Sequence, residues 1–122
     1  MATQFTPADM VTLATDAHSI DLSTAGGQTR AFRNANPGGK IGGIFNKQAV
    51  MDILNQNGCV GLRYYFGITN VLLPDSNIRA ERNPTLILCG VKANGNDMET
   101  GLLAEQSWAC PPHCSAPNSL NS

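Results

Sequence analysis

Apolar and polar positions alternate with a period of two in the stretch CVGLRYYFGI. Val60, Leu62, Tyr64, Phe66 and Ile68 fall on one side, and Cys59, Gly61, Arg63 and Tyr65 on the other. That alternation predicts a strand with one apolar face, expected to lie against helices, and one more polar face. Just upstream the period lengthens. NKQAVMDILNQNG gathers Ala49, Val50, Ile53 and Leu54 into one stripe, with Asn46 placed to cap and Asn57-Gly58 to stop a helix. Met51 reads as packing. Near the N-terminus, FTPADMVTLATDAHS predicts a first helix. Thr6 is the cap, Pro7 the first helical residue and Asp9 the acid of a capping box. Ala8, Val11, Ala14 and His18 share its inner face, with His18 set near the C-terminal end of the dipole.

A second helix is expected within DLSTAGGQTRAFRNANPGG, capped by Ser23, weakened by Gly26 and Gly27, and ended by Asn36-Pro37-Gly38. PGGKIGGIF follows as a glycine-rich loop. It lacks both GxGxxG and a Walker lysine, and no strand feeds it, so it is not read as a phosphate cradle. After the alternating strand comes a long connection, TNVLLPDSNIRAERNP, with Pro74, Asp75, Ser76 and Asn77 as turn chemistry. TLILCGV is the next strand, Asn94-Gly95 predicts a type I′ hairpin turn, and a last strand is expected from Leu102 and Leu103 towards Trp108. The sum is an α+β fold in which N-terminal helices pack on one face of a three-stranded antiparallel sheet. Residues 1–122 make a single domain, with a Pro- and Cys-containing tail from about residue 109.

Composition sharpens one point. Charged residues are 14% of the 122 and the net charge is −1, against about 25% charged in an ordinary globular chain. Such a surface neither repels its copies nor attracts phosphate backbones. Self-association is therefore favoured and nucleic acid is not an expected partner. MATQFTPADM has no basic segment running into an apolar one, so neither a signal peptide nor a membrane span is expected. The default location is cytoplasmic, with extracellular delivery by a non-classical route compatible.

The phrases GCVGLRYYFGI, TLILCGVKANGND and CPPHC, with the earlier AFRNANP, together resemble a family of small uncharacterised bacterial proteins. The likeness spans roughly residues 20 to 114. This chain has His113 where that pattern has an aromatic residue, and its connection from Asn70 to Pro84 is longer, which implies an added surface loop. The resemblance implies one intact domain and names no activity.

The candidate chemistry is sparse. Cys110 and Cys114 flank Pro111, Pro112 and His113. They offer a disulfide or tail clip, a bond from either of them to Cys59, two plain thiols in a stiffened tail, or, less favourably, metal ligands Cys110, His113 and Cys114. Cys59, on the face away from the helices, and Cys89, in a core-like pattern, do not complete an obvious zinc set, and no cofactor is expected. A thioredoxin-like role is disfavoured by the C-x3-C spacing. Arg63, mid-strand among apolar neighbours, needs a partner. An ion pair with Glu105 is the plain expectation and an anion or partner contact the sharper one. Arg30 and Arg33, one turn apart, pose the same choice between an anion grip and a solvated face. Asp97 and Glu99 are read as polar hairpin flanks. With no G-x-S-x-G, H-E-x-x-H or obvious carboxylate pair, the chain is not expected to be an enzyme. The leading expectation is a non-catalytic structural or self-assembling protein, a homo-oligomer or polymer joined through sheet edges and ordered termini. The alternative is a small binding or regulatory module with a Cys-based metal or redox site in its tail.

Overall fold

The computed structural model describes residues 4–71 and 81–122. Pro74, Asp75, Ser76 and Asn77 lie outside these, as do residues 1–3. In chain order the elements are α1 (Pro7–Thr15), α2 (Leu22–Ala35), β1 (Gly42–Ile44), α3 (Lys47–Leu54), β2 (Gly61–Val71), β3 (Glu81–Val91), β4 (Leu103–Ala104) and β5 (Trp108–Cys110). The fold is α+β, with β2, β3 and β4 forming a three-stranded antiparallel sheet in that order. The chain divides into two compact units, one of Met1–Ala17 with Asn46–Gln106 and one of His18–Phe45 with Ser107–Ser122.

The first unit holds the sheet and α3. Asn46 caps α3 by accepting from the Ala49 amide at 2.7 Å. Gly58, at φ 83°, turns the chain after the helix. Ile53 of α3 is buried to 1% exposure, and Leu88, Cys89 and Val91 are the other buried apolar side chains, Leu88 on the α3 side of the sheet and Cys89 and Val91 on the other. In the antiparallel register Leu62 faces Gly90, Tyr64 faces Leu88, Phe66 faces Leu86 and Ile68 faces Pro84. Opposed residues share a face, so these pairs form one surface of the sheet. A Cβ added at Gly90 would meet Gln56, Cys59 and Met98 side chains at 2.9 to 3.0 Å, which places the end of α3 over that surface, at the Gly90 end.

The apolar row of β2 was expected to be covered by helices, and the structure corrects this. Tyr64 is 58%, Phe66 84% and Ile68 60% exposed. The reason is reach. α3 has eight residues, about 12 Å at 1.5 Å each, whereas the eleven residues of β2 extend about 36 Å. The strands are also longer than the sequence pattern implied. β3 starts at Glu81, and β4 pairs only with Leu88 and Cys89. Beyond Leu88 the sheet is therefore a two-stranded ribbon among the described residues. Cys59 precedes β2, so the alternation does not extend to it. Its sulfur lies on the α3 side and donates to the Gly61 carbonyl at 3.2 Å.

α1 forms as expected at its start. The Asp9 amide donates to Thr6 Oγ1 at 3.1 Å, and Asp9 Oδ2 accepts from the Thr6 amide at 2.8 Å. Yet α1 buries none of its residues, and it stops at Thr15 with Asp16 as C-cap. His18 lies beyond the end of the helix, at φ 51°. The Asn94-Gly95 turn also differs from type I′. Gly95 has φ 87° while Asn94 keeps negative φ, and Gly95 N donates to Lys92 O while Lys92 N donates to Asn96 O, each at 2.8 Å. This is a three-residue loop closed by a left-handed glycine.

The second unit is built from α2, a two-stranded sheet and the tail. Asp21, not Ser23, caps α2, accepting from the Thr24 amide at 2.7 Å. This contact holds the Asp21 carboxyl below the usual carboxylate range. The glycine-rich segment 42–44 is a strand rather than a loop. β1 pairs with β5 in the register Gly42 to Cys110 and Ile44 to Trp108. The single last strand read from Leu102 to Trp108 is thus two strands in two different sheets, interrupted at residues 105–107.

Candidate functional site

Three groupings of side chains stand out, two in the first unit and one in the second. On the sheet face opposite α3, Arg63 of β2 lies across from Cys89. The hairpin after β3 folds back so that Asp97 bridges to Val91. The Asp97 carboxylate thereby receives the Arg63 guanidinium, the Tyr65 hydroxyl and, at 3.7 Å, the Cys89 thiol. Arg63 also donates to the Gly95 carbonyl at 3.0 Å and stands 5.6 Å over the Phe5 ring. The hydrogen bond from Tyr65 does most to hold the Asp97 carboxyl below its ordinary range; burial opposes it, and the hydrogen bond and charge of Arg63 add to the lowering. The same contacts push the Tyr65 hydroxyl and the Arg63 guanidinium up, and burial pushes the Cys89 thiol up.

Arg63 therefore pairs with Asp97 and not with Glu105, whose carboxylate instead accepts from the Gln106 amide. Sequence reasoning passed over Asp97 because polar residues are expected at a hairpin. The available signal was its position: a residue bridged to Val91 shares the face of Cys89 and Arg63 across the ladder. Chemically the knot is closed. All three partners donate to one carboxylate, and Arg63 with Asp97 carries no net charge to offer an anion.

The second grouping is the apolar surface of Tyr64, Phe66 and Ile68, where the Tyr64 and Phe66 rings meet edge-on at 5.5 Å. Among the described residues no strand pairs with the outer edge of β2.

The third is the tail. Cys110 and Cys114 are at disulfide distance, with Cα atoms 4.8 Å apart. The His113 ring lies 5.1 Å from that of Trp108, and its amide donates to the Ala109 carbonyl at 2.8 Å. Of the two arginines, Arg33 turns inward to the tail, donating to main-chain oxygens of Leu120 and Ser122 at 2.7 Å each. Arg30 is exposed. Arg33 thus clasps main-chain oxygens of its own chain. Among the described residues no three His, Cys, Asp or Glu side chains gather as a metal ion would require. Nor is any helix among them long and apolar enough to cross a membrane. Compared with family models, with curated proteins and with solved structures, the chain matches none of them.

Proposed function

We propose that the protein is a non-catalytic structural subunit that associates with copies of itself through the β2–β3 ribbon. The observation that carries this reading is the coincidence of a β2 edge that no described strand pairs with and an exposed apolar row on the same strand. Two-stranded ribbons are marginal in water unless a third strand or a packed face supports them. Natural edges are blunted by charge, proline or bulges, and residues 60–68 contain one charge, Arg63, which Asp97 neutralises. Low overall charge removes the remaining barrier to association. The likeness of GCVGLR, GND and CPPHC to small bacterial proteins is neutral here. Size-exclusion chromatography with light scattering tests the reading: the mass rises with protein concentration, whereas a constant monomer mass up to the highest concentration sinks it.

A second reading, a small binding or regulatory module using the tail cysteines, draws on the approach of Cys110 to Cys114. Elemental analysis of purified protein with and without chelator, beside a thiol count, separates its metal form from its redox form.

A further inference from the structure

The exposed row and the exposed edge make different demands on a partner. Zipping β2 to the β2 of another copy would satisfy the edge. It would leave Phe66 as open as before and set two apolar rows side by side on one surface. Stacking the two surfaces would remove both rows from water. We propose that two copies of this chain pack the Tyr64, Phe66 and Ile68 surfaces of their ribbons face to face about a two-fold axis, just past the end of α3. This deepens the self-association reading and rests on it.

A second copy is the occupant for two reasons. The first is charge. Between Val60 and Ile68, and between Pro84 and Gly90 of β3 opposite, the residues of this surface carry no ionisable group except the Tyr64 hydroxyl, and the next pair in register is Asn70 with Arg82. A neutral flat surface is complementary to itself, and a two-fold axis brings no like charges together. A membrane surface would instead call for Lys or Arg around an apolar patch. Of the two arginines in β2 and β3, Arg63 is on the opposite face and already paired with Asp97, which leaves Arg82 alone in register with this surface. The second reason is area. At the exposures given above, Tyr64, Phe66 and Ile68 together offer roughly 400 Å² per copy, or roughly 800 Å² in total. That is below the range of stable complexes and within that of weak, concentration-dependent ones. Stacked sheets pack at about 10 Å, close enough for the edge-on Tyr64–Phe66 pair of one copy to meet the same pair of the other.

Sedimentation equilibrium of the full chain, combined with amide hydrogen exchange at low and high concentration, tests this. Wild type is expected to dimerise. Phe66→Glu and the gentler Phe66→Ser are expected to weaken dimerisation at least tenfold, with circular dichroism unchanged for at least one of them. The outward amides of β2 are expected to exchange at similar rates in monomer and dimer. A dimer indifferent to both Phe66 variants overturns the face-to-face arrangement. So does strong slowing of the β2 amides on association, which would reveal edge pairing and leave self-association standing. A monomer at every concentration overturns self-association, and this arrangement with it.

Discussion

Asp97 accepts from Arg63, Tyr65 and Cys89 at once, and this makes it the most consequential polar residue in the first unit. Removing its charge leaves Arg63 facing a carbonyl and a ring, without a counter-ion. Asp97→Asn is expected to cost about 1 kcal/mol near neutral pH, the modest figure appropriate to a partly solvated pair. The pH dependence has a definite sign. The Asp97 carboxyl is held below its ordinary range. Its contribution is therefore complete above about pH 4, where the unfolded carboxylate is ionised. It is lost as pH falls through the lower, folded-state value. Urea denaturation of wild type and Asp97→Asn between pH 6 and pH 2 should show the gap narrowing only below about pH 4. A gap that stays constant would mean the knot is not charge-assisted. At this scale the sequence was legible where the rule is local. Thr6 with Asp9, and Asn46 with Ala49, were readable because cap and target are three residues apart. The partner of Arg63 was not, because Asp97 lies 34 residues away and only the returning hairpin brings it near.

α2 shows how an element can carry residues that local propensity disfavours. Gly26 and Gly27 both weaken a helix interior, yet their surroundings differ. A Cβ at Gly26 would come within 2.7 Å of the Ser119 carbonyl oxygen, while one at Gly27 meets nothing within 4 Å. The tail crosses the helix at Gly26, and Arg33 holds it there through Leu120 and Ser122. Gly27→Ala should therefore gain up to about 1 kcal/mol of helix stability, raising the melting temperature by a few degrees. Gly26→Ala should lower it, because a main-chain oxygen must move. Thermal melts of both variants check this, and a rise in both would mean that the tail does not rest on α2. Legibility at the scale of elements follows periodicity. α3 and the start of β2 were readable from their apolar spacing, whereas β1 was not. Three residues, two of them glycine, have no alternation to read, and their strand exists only because residues 108–110 pair with them. The class of fold emerged from the order of elements. The bare outer ribbon did not, since an apolar row reads the same whether or not a helix is long enough to cover it.

At the scale of the molecule the two units are stabilised differently, and this separates their responses to one chemical change. The first has a core of Ile53, Leu88, Cys89 and Val91. In the second, Gly26 is the residue that is buried among those described, so this unit relies on links rather than a core. These are the three-residue β1–β5 ladder, the Arg33 clasp and the approach of Cys110 to Cys114. The last two cysteines are not separate from the ladder. The Cys110 carbonyl accepts from the Ile41 amide at 2.8 Å, and Gly42 lies opposite Cys110 itself. A bond between Cys110 and Cys114 limits the unfolded tail, and in the chain-entropy account so small a ring contributes about 2 kcal/mol. A dithiol reductant converts the bond to two thiols while closing its own disulfide, and the ladder then loses that restraint. Amide exchange at Ile41 and along β1 should accelerate on reduction, and Cys114→Ser should reproduce the effect without reductant. Exchange in β3 should not change, because Leu88 to Val91 are held by the sheet and α3. Were β3 to respond as strongly as β1, the two units would form one cooperative block. Were neither to respond, the tail would be held by Arg33 and the ladder alone.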